Sequence, residues 1–219
     1  MGVQERKRTL FGLGEGTDRI AFFSDAVFAI ALTLLVLDIR LPEDLDHDEL
    51  WSSLVALWPQ LFAYMLTFAV LGINWIAHHR KFRVIQRFDA GLIWINLAFL
   101  MFVALAPFPT SVLAEYGDAV AVTIYAIEVS MLSLLQATLW AHAHRRGLLA
   151  TEVDDGVYRH SLVTILVTPA VFLVTIPVAV LIDPTVAMLC WVLIWPVGVV
   201  AGRIASRRID RAELSRSRG

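Results

Sequence analysis

The chain has 219 residues, 58% hydrophobic and 17% charged, with a mean hydropathy of +0.69 and a formal net charge of −2. That composition excludes a water-soluble globular domain and points to an all-α polytopic membrane protein. No polar connection approaches the ~40 residues a separate soluble domain needs, so one transmembrane domain over residues 1–219 is expected.

Residues 1–17 are polar, carry Arg6, Lys7 and Arg8, and read as a tail. The first apolar run, Arg19 to Leu41, predicts a spanning helix over 19–39, with Asp18 as its cap and Pro42 as its stop. It runs for about 18 residues and carries Asp25, which argues against a cleaved signal sequence. An acidic loop, EDLDHDE at 43–49, follows. The second span is predicted over 50–77 with a kink at Pro59, and HHRKFRVIQRFD is read as a basic connection. The third span is predicted over 90–106, bent or ended by Pro107 and Pro109. The fourth is predicted over 119–141, with HAHRRG closing it and Gly147 as its C-cap. After a polar connection, TEVDDGVYRH, the fifth is predicted over 161–182, with Pro169 and Pro177 inside it. The sixth starts at Pro184 and runs to 202, before a basic tail.

Six spans put both termini on one side. Seventeen of the eighteen Lys and Arg residues then fall on that side, and only Arg40 falls on the other, among Glu43, Asp44, Asp46, Asp48, Glu49, Glu115, Asp118 and Asp183. By the positive-inside rule both termini are cytoplasmic, and the expected location is the cell's inner (plasma) membrane. The basic tails read as topology determinants and contacts to membrane lipids, and no nucleic-acid partner is expected.

Arg19, Ser24 and Asp25 are out of place in a lipid-facing helix, where a charge at mid-membrane costs roughly 2.5–3.5 kcal/mol. On a helical wheel Phe23, Ala26, Ile30, Thr33 or Leu34, and Leu37 form one stripe. Asp25 lies about 140° from Ile30 and so faces elsewhere. The end of the second span supplies candidate partners: Asn74 and His78 are one turn apart, with Trp75 beside them. Their amide, indole and imidazole N–H groups could satisfy a carboxylate in a polar clasp. The plainer alternative is a helix pair whose polar ends sit among headgroups. Glu128 is deeper, in the fourth span with Ser130, Ser133 and Gln136; it is either a proton or ion site or an interhelical hydrogen-bonding group. His78-His79 and His142-x-His144 have no zinc-site spacing, so no metal is expected. Cys190, the one cysteine, cannot form an internal disulfide. Phosphate-binding loops, nucleophile elbows and dinucleotide fingerprints are all missing, so an enzyme is not expected. Gly198 and Gly202 fit helix packing only.

Arg19-x-x-x-Phe23-Ser24-Asp25 matches an RxxxFSD signature, followed by AVFAIALTLLVLDIRLP. With Asn74-Trp75-x-x-His78-His79 and Asn96…Pro107-Phe108-Pro109, the chain resembles prokaryotic members of the transmembrane protein 175 family of potassium channels over nearly its full length. The resemblance implies a homotetramer of six-helix units with the first helix lining a central pore. It implies a constriction of bulky aliphatics at Ile30, then Thr33 or Leu34, then Leu37, in place of a carbonyl filter. It also implies a structural polar network of Arg19, Ser24, Asp25, Trp75 and His78; Asn74 joins these by spacing. A ring of such apolar side chains gates by dewetting. The acidic loop would concentrate cations at the mouth. The expected function is a K⁺-permeable cation channel with modest preference over Na⁺ and no cofactor beyond the permeant ions.

Rival readings are a proton leak, a secondary transporter using Glu128, and a membrane enzyme. A transporter should show matching broken repeats, but the RxxxFSD segment has no counterpart in the fourth span. An enzyme should cluster catalytic groups, but Ser24 has no evident base.

Overall fold

The computed structural model describes residues 16–41, 50–151 and 153–191. The elements are α1 (Gly16–Leu34) with a 3-10 turn (Leu35–Asp38), α2 (Leu50–Ala56), α3 (Trp58–Val84), α4 (Ala90–Leu105), α5 (Pro107–Tyr116), α6 (Ala119–Arg145) and α7 (Asp155–Leu181). A further helical stretch covers 184–191. Five segments among the described residues are long and apolar enough to cross a membrane: Asp18–Asp38, Trp58–Val84, Ala90–Tyr116, Ala119–Arg145 and Asp155–Leu181. The sixth expected span lies outside the described residues from 192 onward, with Gly198 and Gly202. So do the acidic loop over 43–49 and both basic tails.

The boundaries depart from expectation in instructive ways. Asp18 sits inside the first turn of α1, where its carboxylate favours the positive helix end, instead of capping the helix from outside. Pro59 does not kink one helix. It occupies the first turn of α3 and leaves α2 as a separate short helix, because a proline there forfeits no intrahelical bond. The basic connection after 77 is helical to Val84. His78, Lys81 and Phe82 turn inward while Arg80 and Arg83 turn out, and the cations in the last turn complement the helix dipole. Likewise α6 extends to Arg145. In α7 the helix begins six residues before the expected start, because Asp154 accepts from Val157 N at 2.7 Å and caps it. Asp89 caps α4 and Asp118 caps α6 in the same way, each at 2.8 Å.

Two stops match. Gly147 is left-handed at φ 60°, with its N–H on His144 O and Leu148 N–H on Ala143 O, which closes α6 in a Schellman motif. At Pro107 the helix breaks for one residue, Ala106, and restarts as α5.

Helix α6 is the centre of the bundle. Just over half of its membrane window is buried, against a third or less for the others. Its neighbours pack in three apolar groups. Tyr125, Val129, Phe172 and Trp191 join α6 to α7. Phe28, Ala31, Leu35, Leu71, Phe99 and Leu132 join α1 to α3, α4 and α6. Phe82, Ile85, Leu92, Leu139 and Leu148 close the end that carries the basic connections. There Ile85 and Leu149 form an antiparallel bridge, the one strand-like pairing among the described residues.

Candidate functional site

One side of α1 is buried at helical spacing: Ser24, Phe28, Ala31 and Leu35, none more than 1% exposed. Ser24 Oγ donates to Ile20 O at 2.8 Å, and Asn96 Nδ2 of α4 donates to Ser24 Oγ at 3.1 Å. The Asn96 amide oxygen is therefore the acceptor left for His78 Nε2, 2.8 Å away, which fixes that nitrogen as the protonated one. The His78 ring lies flat against Phe82 and Phe99, with Phe28 tilted beside it. This gives a directed relay of donors, His78 to Asn96 to Ser24 to Ile20 O, sealed in aromatic packing between α3, α4 and α1.

Asp25 takes a different partner. Trp75 Nε1 donates to its Oδ1 at 2.8 Å near the bundle surface. The single network of six residues, five implied by the resemblance and Asn74 added by spacing, is thus divided. Ser24 and His78 are joined through Asn96, and Asp25 and Trp75 are joined directly. Arg19 is exposed and makes no hydrogen bond to either set among the described residues. Asn74 faces away from Asp25, because position 74 points into the bundle whereas Trp75, 100° round the helix, points to its edge.

Asn74 belongs instead to a second buried set. Gln136 Nε2 of α6 donates to Asn74 O at 2.8 Å and to Asn74 Oδ1 at 3.2 Å. The Gln136 Oε1 accepts from the Lys81 ammonium, which is 6% exposed. Deeper in α6, Tyr125 Oη bonds Thr67 Oγ1 at 3.0 Å, and Thr67 bonds Thr110 at 2.8 Å. Glu128, one turn from Tyr125, is 5% exposed, and its Oε1 has no hydrogen-bond partner among the described residues.

The opposite face of α1 is uncovered. Ile30 and Leu37 are 59% exposed, Phe23 53% and Leu34 41%. Thr33 is exposed too, but its hydroxyl is turned back onto Ile30 O at 2.8 Å, so the face presents methyl groups. From Leu35 the helix tightens to 3-10 geometry, so a wheel at 100° per residue no longer holds at Leu37. Leu37 stays exposed, and its carbonyl accepts from Arg40 Nε.

At the end carrying the basic connections, His142 pairs with Asp89 and His144 with Asp155. Burial works against the Asp89 charge, but Leu92 N–H, His142 and Arg146 outweigh it and hold the carboxyl at about 2. Among the described residues no three His, Cys, Asp or Glu side chains are grouped to hold a metal ion.

Residues 19–107, from α1 through the relay and on to the start of α5, match the family model described as "Endosomal/lysosomal potassium channel TMEM175". A potassium channel of Streptomyces collinus is 43% identical over 136 residues, which cover 60% of this chain and 66% of that protein. One of Chamaesiphon minutus is 39% identical over 145 residues, covering 64% and 71%. The crystal structure of a lysosomal potassium-selective channel TMEM175 homolog from Chamaesiphon minutus superposes with a TM-score of 0.59 at 34% identity, over 80% of this chain and 96% of that one. This chain belongs to the TMEM175 family. It is accordingly a multi-helix membrane protein of a channel family and not an enzyme.

Within this TMEM175-family chain, spacing along single helices missed Gln136 as the partner of Asn74 and Lys81 as the partner of Gln136, and missed Asn96 as the link from Ser24 to His78. Asn96 did have a signal: a carboxamide inside the apolar run GLIWINLAFLMFVALA needs a partner. Which partner it takes depends on the tertiary packing.

Proposed function

We propose that this protein is a K⁺-permeable cation channel, a homotetramer whose pore is lined by α1. Exposure alone does not select α1, since α7 is covered to the same small extent. The observation that carries the reading is the division of α1 into two faces. One face holds Ser24 in the relay and Asp25 against Trp75. The other leaves Phe23, Ile30, Thr33, Leu34 and Leu37 uncovered along the helix. Fixing one face fixes the aim of the other. Four copies meeting about an axis would cover that stripe and place Ile30, then Thr33 or Leu34, then Leu37 in successive rings.

Such rings have no polar lining to replace an ion's hydration shell, so a narrow ring empties of water and blocks conduction. A wider one passes a partly dehydrated cation, and K⁺ sheds water more readily than Na⁺. Selectivity is therefore modest and comes from dehydration. The acidic segment from Glu43 to Glu49, on the side proposed as external, raises the local cation concentration. Both termini lie in the cytoplasm, and the membrane is the plasma (inner) membrane, on the Lys/Arg distribution. The relatives described as potassium channels support the same substrate.

A second reading is favoured by one observation, the buried Glu128 Oε1 in the bundle core, which has no hydrogen-bond partner among the described residues. It would make the protein a proton leak or a proton-coupled transporter. Ion flux through the purified protein in liposomes tests both, with K⁺, Na⁺ and H⁺ gradients imposed separately. The channel reading expects K⁺ flux above Na⁺ flux and unaffected by Glu128→Gln. Flux carried by H⁺ alone and lost in Glu128→Gln would replace it with the second.

A further inference from the structure

The bundle is joined a second time, away from α1, at the end bearing the basic connections. Asp89 caps α4 through Leu92 N–H at 2.8 Å, and the same carboxylate meets His142 Nε2 of α6 at 2.8 and 3.1 Å. Arg146 Nε completes the set with a 3.1 Å bond to Asp89 Oδ2. The imidazole lies directly on Gly91: a Cβ there would be 2.7 Å from His142 Cε1 and 2.9 Å from Nε2. The glycine is thus required by the close seating of the ring on the first turn of α4, in a helix position where glycine otherwise weakens the helix.

The His142 and Arg146 contacts hold the N-terminus of α4 against the C-terminus of α6. Asn96, which bonds Ser24 on α1, lies about two turns further along the same rigid α4. His142 and Asp89 are each about a quarter exposed, so water reaches the pair. Asp89 from α4 and Arg146 from α6 are the charged groups at His142, and Asp89 is its one ion-pair partner among the described residues. Imidazole changes charge between about pH 5 and 8. Asp89 is ionised across that range, so a neutral His142 offers the carboxylate a hydrogen bond, whereas a protonated one turns the same contact into an ion pair.

We infer that His142, seated on Gly91 against Asp89, is a positioning residue through which protonation from the aqueous phase sets the seating of α4 and, by way of Asn96, the conducting helix α1. The inference rests on the channel reading for its functional consequence but not for its structural one. The other histidine pair, His144 with Asp155, is built differently. His144 stacks on Tyr158 with ring centroids 3.8 Å apart, and its partner Asp155 is 80% exposed on the first turn of α7. It does not touch α4.

Two readouts test this in the full-length protein: K⁺ flux in liposomes with the bath on the Lys/Arg-rich side varied between pH 5 and 8, and hydrogen exchange at the Leu92 amide corrected for intrinsic rate. In the unaltered protein both should change several-fold across the range. His142→Gln keeps a donor but cannot titrate, so both profiles should flatten while flux itself persists. Gly91→Ala, which displaces the ring, should flatten them too, and His144→Gln should leave them unchanged. A pH response that survives in His142→Gln, or one that is lost in His144→Gln instead, overturns the inference. Absence of any flux in the unaltered protein would refute the channel reading, and Leu92 exchange would still decide whether His142 positions α4.

Discussion

Asn96 Nδ2 lies 3.1 Å from Ser24 Oγ, in a contact with no route to water: Asn96 is 1% exposed and Ser24 0%. Ser24 stands in the RxxxFSD segment, so this bond, together with the Asp25–Trp75 contact, joins the motif to the body of the bundle. Replacing Asn96 by Leu removes both halves of the relay at once. The His78 N–H is left without its acceptor, and Ser24 loses its donor. Each buried polar group left unpaired costs about 1–3 kcal/mol. Asn96→Leu should therefore lower the thermal midpoint in detergent below that of Ser24→Ala, which removes the Ser24 bonds to Asn96 and to Ile20 O but leaves the His78–Asn96 bond in place. Equal midpoints for the two variants would mean the relay contributes nothing beyond packing.

The Lys81–Gln136–Asn74 set makes a sharper energetic prediction. Gln136→Leu leaves the buried Lys81 head group without its acceptor, and a buried hydrogen-bonding group left unpaired costs about 1–3 kcal/mol, more where it is charged. Lys81→Met removes the charge along with its need for a partner, so Lys81→Met/Gln136→Leu together should be more stable than Gln136→Leu alone. Such a sign of coupling is expected only for residues in direct contact. Thermal unfolding of the four proteins measures it, and additive effects would separate the two side chains energetically.

The membrane class and the boundary at Gly147 were legible because each rests on local chemistry: an apolar run of spanning length, or a glycine where φ is positive. The division of the polar set was not legible. Asn74 and Trp75 are adjacent in the chain and equally able to donate, and nothing local says that one faces α6 and the other Asp25. The length of α3 was misjudged for a related reason. HHRKFRV looks like a connection by charge, and only the packing of His78, Lys81 and Phe82 against other helices makes it the end of a helix. The uncovered stripe on α1 was the reverse case. Its periodicity sets Ile30 and Asp25 apart before any partner is known, although the 3-10 turn after Leu34 limits that argument near Leu37.

Asp25 and Trp75 sit where α1 meets α3 close to the bundle surface, and Trp75 is 38% exposed. An exposed hydrogen bond contributes only about 0.5–1.5 kcal/mol to the fold. In the proposed tetramer its larger effect should be on association, because it would set the rotation of α1 and hence which side chains meet the neighbouring subunits. Trp75→Phe and Asp25→Asn should leave the monomer folded and reduce the tetramer fraction, read by mass measurement in detergent. Full tetramer in both variants would remove these residues from the assembly argument.

Asp89 should give the fold a contribution to stability that strong acid removes. Its folded-state value of about 2 lies below the ordinary 3.8, so the carboxylate contributes stability above 3.8 that is lost as pH falls toward 2. Asp89→Asn retains a capping oxygen for Leu92 N–H but has no charge to lose. Its stability should therefore change less than that of the unaltered protein over that interval. A denaturation midpoint measured at each pH gives the comparison, and parallel acid limbs would exclude Asp89 as their source.

Ile30 gives the most direct test of the conducting face. It lies one turn before the end of α1, 59% exposed, with Thr33 turned back on its carbonyl, so its side chain is an unbroken apolar surface. If four such side chains form the narrowest ring, the barrier to an ion there is the work of drying and stripping it. An amide at this position supplies donors and acceptors that hold water in the ring and lower that work. Ile30→Asn should therefore raise cation flux several-fold while weakening discrimination between K⁺ and Na⁺, because selectivity by dehydration fades once the ion keeps its shell. The substitution lies opposite the buried Ser24 face, so folding and assembly should be preserved, which the thermal midpoint and the oligomer mass establish independently. An Ile30→Asn protein that assembles normally yet conducts as before would place the constriction away from this face of α1, with Thr33→Val and Leu37→Asn as the next positions to measure.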